Sequence, residues 1–137
     1  MSFCTAINCI DGRVQLPVIR YLQDRFGVLF VDVVSEAGPV RALADPAESS
    51  VKTSILRRTS ISAAAHGSRV IAVVAHAECA GNPVGDEEQL RELAVSVECV
   101  AAEFPESVVL GLWVDSDWSV VEACAGGLAS KPSVQDG

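Results

Sequence analysis

Four stretches of the chain are almost unbroken in apolar residues, and amphipathic segments separate them. Arg69–Ala75 lacks the polar alternation of a half-exposed strand and reads as a strand buried on both faces of a parallel sheet; Phe3–Ile10, which alternates loosely, and the apolar runs Val28–Val34 and Val108–Val114 read as the other three strands. Between the first two, Leu16, Val18, Ile19, Leu22 and Phe26 recur at helical spacing. Pro17 suits the first turn of that helix and Gly27 its stop. Ser35–Ser50 is irregular, with turns marked by Gly38-Pro39 and Asp45-Pro46 and a short helical piece around Val40–Ala44. Ser50–His66 predicts a helix with an imperfect stripe (Val51, Ile55, Ile61, Ala65) and many serines and threonines. Asp86 opens the clearest helix. Asp86 and Gln89 have capping-box spacing, Leu90, Leu93, Ala94, Val97, Ala101 and Phe104 form the stripe, and Pro105 ends it. After the fourth apolar run, Asp115-Ser116-Asp117-Trp118 leads into an expected short helix reaching about Ala125. Residues 126–137 read as a mobile tail.

Strands alternating with helices predict βαβ units. The expected fold is α/β: a single small, doubly wound, Rossmann-like domain over residues 1–125. Its mainly parallel four-stranded sheet has the order 2-1-3-4, with helices on both faces. So few strands leave edges exposed, and a homodimer or higher homo-oligomer would cover them. Asp32, a charge inside the second apolar run, has no explanation at this level.

Composition narrows the function. The 137 residues carry a net charge of −8, and the ten basic residues are scattered. A phosphate-tracking groove needs them clustered, so nucleic acid is excluded as a partner. Arg57-Arg58, the one basic pair, falls mid-helix and reads as a solvated face. No apolar stretch is long enough for a membrane span, and the N-terminus lacks the basic region of a signal peptide. The expected location is the cytoplasm. Five cysteines there imply thiols or metal ligands rather than disulfides. Cys4, Cys99 and Cys124 have no metal-type neighbour in sequence and read as core or near-core.

Cys9 and His76 are different, because each falls at the carboxyl end of a predicted strand, where open α/β sheets place their reactive groups. The first strand ends in Cys9-Ile10-Asp11-Gly12-Arg13 and the third in His76-Ala77-Glu78-Cys79. In the order 2-1-3-4 these strands are neighbours, about 4.8 Å apart, so Cys9 and His76 can reach one ion from two sides. Cys79 completes a Cys-His-Cys set. Three protein ligands with a fourth position left for water is the catalytic arrangement of zinc, and two thiolates with an imidazole are too soft for magnesium or calcium. Asp11 and Arg13 point the same way if the turn begins extended. The guanidinium would then keep the carboxylate ionised and oriented.

C-x-D-x-R at one strand end and H-x-x-C at another resemble the β-class carbonic anhydrases, and specifically a short branch of that family. The similarity runs roughly from Thr5 to Trp113, and Glu36-Ala37-Gly38 falls where the family has an Ala-Gly turn. The resemblance implies zinc on Cys9, His76 and Cys79, with Asp11 and Arg13 as a catalytic dyad orienting the fourth ligand. It implies a carbonate dehydratase, a lyase in which zinc-bound hydroxide hydrates carbon dioxide reversibly to bicarbonate. Family members with aspartate as the fourth zinc ligand are also known. Three departures are expected to matter: Ala80 precedes Gly81 after Cys79, Gly12 replaces the common serine, and the residues before Thr5 carry no pattern of the family's N-terminal helical arm.

Two alternatives stay open, namely a non-catalytic zinc-binding or regulatory domain and a hydrolase of carbonyl sulfide or carbon disulfide. A C-x5-R phosphatase is excluded because Gln15 stands where arginine is needed, and neither G-x-G-x-x-G nor a P-loop is present. Elsewhere the blander role is preferred: a favourable dipole contact for His66, a solvated loop for Glu78, helix capping for Asp115, Ser116 or Asp117, and core packing for Trp113 and Trp118.

Overall fold

The computed structural model describes residues 1–127; the remainder of the expected tail lies outside the described residues. Five strands form one sheet in the order β2-β1-β3-β4-β5, where β1 is Phe3–Cys9, β2 Phe30–Glu36, β3 Val70–His76, β4 Val108–Val114 and β5 Val120–Gly127. The first four run parallel in the expected order, so the strand order reverses between β1 and β3. β3 is buried along its whole length, as its unbroken apolar run requires. Helix α1 (Gln15–Phe26) covers one face through Val18 and Leu22. Helices α2 (Pro39–Ala44), α3 (Ser50–His66) and α4 (Asp86–Glu103) cover the other, where Val40, Leu43, Ile55, Leu93 and Val97 meet Ile7, Ile71 and Val73. No helix among the described residues is long and apolar enough to cross a membrane.

The fifth strand corrects the sequence reading. The segment expected to be a short helix to Ala125 is β5, antiparallel to β4, and it takes in Gly126 and Gly127. The signal was the turn: Asp115 caps no helix, and its carboxylate instead accepts hydrogen bonds from the backbone N–H of Asp117 and Ser119 at 2.9 and 3.0 Å. That is a side-chain-mimicked turn, which reverses the chain onto the open edge of β4.

Three other expectations shift. The N-cap of α4 is Gly85 and no side-chain cap forms, so there is no Asp86–Gln89 capping box. Gln89 is buried and donates to the Asn82 carbonyl at 2.8 Å. The buried face of α3 is Lys52, Ile55, Thr59 and Ser62, while Val51 and Ile61 are exposed. Arg58 is not simply solvated; its guanidinium meets Glu36 at 2.8 Å. β2 is an edge strand, and Phe30 and Val33 on it are exposed.

Candidate metal centre

β1 and β3 end side by side, and their last residues are Cys9 and His76. The chain leaves β3 through a tight turn, with the Ala77 N–H donating to the Val114 carbonyl at 3.0 Å. This turn brings Cys79 back to His76. The ligand atoms of Cys9, His76 and Cys79 all lie within 4.8 Å of one another, and all three residues are buried. The two sulfurs are 3.8 Å apart. Two thiolates on one tetrahedral ion at about 2.3 Å each would be about 3.8 Å apart, so the spacing suits a shared cation.

His76 supplies the sharper observation. With Nδ1 as the protonated nitrogen, it donates to the Ala77 carbonyl at 2.8 Å, which fixes the tautomer and leaves the Nε2 lone pair free. Nε2 is buried with no hydrogen-bond partner of acceptable geometry, and it is the one such side-chain atom among the described residues. A buried polar atom left without a partner is costly, and a lone pair facing two sulfurs is relieved by a cation.

Backbone donors prepare the sulfurs for negative charge. Cys9 is drawn down to about 3, first by the hydrogen bond from Cys79, against burial, and then by His76 and the backbone N–H groups of Gly38 and Asp11. The same sulfur–sulfur hydrogen bond pushes Cys79 up, with burial and the Cys9 charge adding to it, while the backbone of Gly81 and Asn82 pulls the other way. A bound cation would take the place of the thiol protons. Burial works against a charged His76, yet the nearby Cys9 sulfur, the Ala77 carbonyl and the charges of Cys9 and Asp11 carry its pKa upward.

Gly38 and Gly81 let the donors approach. Gly38 has φ +60°, and a Cβ there would lie 2.8 Å from the Gly81 carbonyl. A Cβ on Gly81 would lie 2.7 Å from the backbone of Ala37. The loops after β2 and β3 therefore touch backbone to backbone, a contact that a methyl group on either side would force apart.

Asp11 and Arg13 pair beside this centre, though not through the expected extended turn. Asp11 caps a 3-10 turn over Gly12–Val14, and its Oδ1 accepts from the Arg13 backbone N–H at 2.9 Å. The Arg13 side chain then closes a fork, with Nε to Oδ1 at 3.0 Å and Nη2 to Oδ2 at 2.7 Å. This fork holds the Asp11 carboxyl at about 2, below its ordinary value, chiefly through hydrogen bonding to Arg13. Gln15 ties the segment down from behind, donating to the Cys9 and Asp11 carbonyls at 2.7 and 2.9 Å.

Residues 1–124 match the family described as "putative carbonic anhydrase". The chain belongs to that family. Solved structures similar to this carbonic anhydrase family member include β-carbonic anhydrases. A tetrameric one from Sordaria macrospora is 14% identical, with a TM-score of 0.51 over 90% of this chain and 81% of its own. The β-carbonic anhydrase CcaA is 12% identical with a TM-score of 0.54, covering 93% and 78%. CafA of Aspergillus fumigatus is 14% identical with a TM-score of 0.50, covering 94% and 76%. At these identities the likeness establishes the shared fold. No curated protein matches the sequence.

The remaining sequence candidates fall outside the centre or at its rim. Cys4 is buried, while Cys99 and Cys124 pack against the other core. The Glu78 side chain is exposed and approaches Arg13 at 3.8 Å. Trp113 packs in the α4-side core. Trp118, expected as core packing, lies partly buried against the α1-side core, with the Arg13 guanidinium 4.6 Å from its ring centroid. No pattern within the Trp118 segment marks that contact, because Arg13 is far away in sequence.

Proposed function

We propose that this protein is a zinc-dependent carbonic anhydrase-like enzyme, hydrating carbon dioxide reversibly to bicarbonate. The observation that carries this reading is the buried, unpartnered Nε2 of His76 facing two sulfurs at a cation-sharing distance. Cys9, His76 and Cys79 would hold the metal, and their soft donor set fits zinc. When bound, zinc acidifies water enough for it to attack carbon dioxide near neutral pH. Arg13 holds the Asp11 carboxyl below its ordinary value, so Asp11 stays ionised through the working range and its remaining acceptor capacity would take a hydrogen bond from a water on the metal. The Asp11 side chain is only 16% exposed, which limits competition from bulk solvent. Arg13 fixes the carboxylate plane through two parallel hydrogen bonds.

The same reading makes the protein a homodimer or larger assembly, since edge strand β2 exposes Phe30 and Val33 and one similar structure is described as tetrameric. It also puts the protein in the cytoplasm, where five free thiols stay reduced.

Metal analysis of protein purified without chelator, followed by stopped-flow carbon dioxide hydration, tests the assignment. Zinc near one per chain and a rate above buffer are expected. Asp11→Asn should retain zinc and lose roughly 100-fold in rate, the scale of one positioned proton-handling group. Bound zinc with a rate equal to buffer would replace the enzyme with a non-catalytic zinc-binding domain. Absence of zinc would end both.

A further inference from the structure

Only two non-glycine residues among those described have positive φ: Glu78 at 59° and Trp118 at 63°. Side chains of this size adopt that conformation rarely and at a cost, so the surrounding structure must impose it. The two lie in different loops, one after β3 and the other between β4 and β5. Both meet the same guanidinium. Nη1 of Arg13 is 3.8 Å from the Glu78 carboxylate and Nη2 is 3.5 Å from the Glu78 carbonyl, while Trp118 presents its ring to Cζ at 4.6 Å.

The turn that carries Trp118 is firmly held. Asp115 accepts from the backbone of Asp117 and Ser119 through its side chain and from the Trp118 N–H through its carbonyl at 3.0 Å. The Asp115 N–H donates to the Ser119 carbonyl at 3.1 Å. The backbone that carries the ring is therefore held by the turn itself, independently of Arg13. Arg13 needs such a backing. Its side chain is 49% exposed, and a solvated ion pair on a long flexible side chain is weakly held by charge alone. A cation lying over an indole face loses one direction of escape and gains attraction to the ring quadrupole.

We propose that Trp118 is a positioning residue that, with Glu78 behind it, confines Arg13 to the geometry in which it retains Asp11. This rests on the metal-binding reading of Cys9, His76 and Cys79. The consequence is specific. A carboxylate released from its guanidinium beside a three-ligand metal with an open position is itself a ligand. Trp118 therefore keeps the fourth position available by keeping Asp11 engaged elsewhere.

Cobalt(II) substituted into the full chain reports this directly through its visible absorption and its response to azide. The wild type is expected to bind cobalt and show an azide-dependent spectrum. Trp118→Leu, which keeps apolar bulk but loses the ring, should bind as much cobalt, take on an altered spectrum and lose roughly tenfold or more in azide affinity. Trp118→Phe should restore the wild-type spectrum. Trp118→Leu combined with Asp11→Asn should recover azide binding, because the competing carboxylate is gone. Wild-type spectrum and azide affinity in Trp118→Leu, at full cobalt content, would overturn the proposal, as would failure of the Asp11→Asn combination to recover azide binding. A wild type that binds no cobalt would instead overturn the metal-binding reading on which it stands.

Discussion

The two histidines of this chain sit in polar clusters at opposite ends of the same sheet, and the clusters differ in whether their buried polar atoms are satisfied. At the carboxyl end, His76 is 1% exposed and keeps a nitrogen without a partner beside two sulfurs. Toward the amino end, the His66 ring stacks on Phe3 at 4.1 Å between centroids and shares a 2.6 Å hydrogen bond with Asp32. Asp32 also accepts from Ser62 at 2.6 Å, Ser62 meets Thr5 at 2.7 Å, and Thr5 donates to Ser68 at 2.7 Å. Ser68 in turn donates to the Val70 carbonyl. Every polar atom of this second cluster that is fully buried has a partner. A satisfied network rigidifies and fastens α3 to β1 and β2. An incompletely satisfied one, buried more deeply still, is waiting for something the protein does not itself supply. That difference, rather than the residue type, separates the candidate metal centre from a structural polar core.

The largest expected effect tests the contrast at the unsatisfied end. Cys9→Ser or His76→Ala should lower zinc from near one per chain to near zero by metal analysis, whereas His66→Ala should leave it unchanged. Loss of zinc in His66→Ala would erase the distinction between the two histidines. Next in size, Asp32→Ala in the zinc-loaded protein should cost roughly 1–3 kcal/mol by urea unfolding at neutral pH, since it strips charged hydrogen bonds from Ser62 and His66.

The same variant carries a pH dependence. Burial alone would raise the Asp32 carboxyl, but hydrogen bonds from Ser62 and His66 bring it below its ordinary value. The folded pKa is therefore depressed, so this stabilisation is present above the unfolded carboxylate value of about 4 and disappears as pH falls through the lower folded value. The gap between wild type and Asp32→Ala should accordingly narrow in acid below about pH 4. A gap that is constant with pH would mean that Asp32 acts through packing and not charge. The smallest effect belongs to His66→Ala, about 1 kcal/mol, because the half-exposed ring gives up one aromatic contact and a solvent-competed hydrogen bond.

Much of the centre was legible in sequence because its parts are local. A continuous apolar run announces a buried parallel strand, and the residue that ends the run must sit on the sheet rim. Cys9, His76 and Cys79 could thus be brought together from strand order alone, and Asp11 with Arg13 from a spacing of two. The mechanism of that last pairing was misread, since a capped 3-10 turn rather than an extended one aims both side chains. Helix α3 was harder. Its buried face is largely polar, and periodicity of apolar residues points to the wrong side, toward exposed Val51 and Ile61.

By itself, then, the chain determined which segments are strands and which strand ends carry sulfur and imidazole, because burial of apolar side chains imposes a period readable within a few residues. Only the tertiary structure decided which polar residues could be buried, why Asp32 is tolerated in β2, that residues 120–127 pair with β4, and that Trp118 stands against Arg13. Each of these depends on a partner distant in sequence, as with Thr5 and Ser62 or Asp32 and His66. A polar group's burial is decided by whether a partner meets it in the folded chain, and nothing in its own neighbourhood records that.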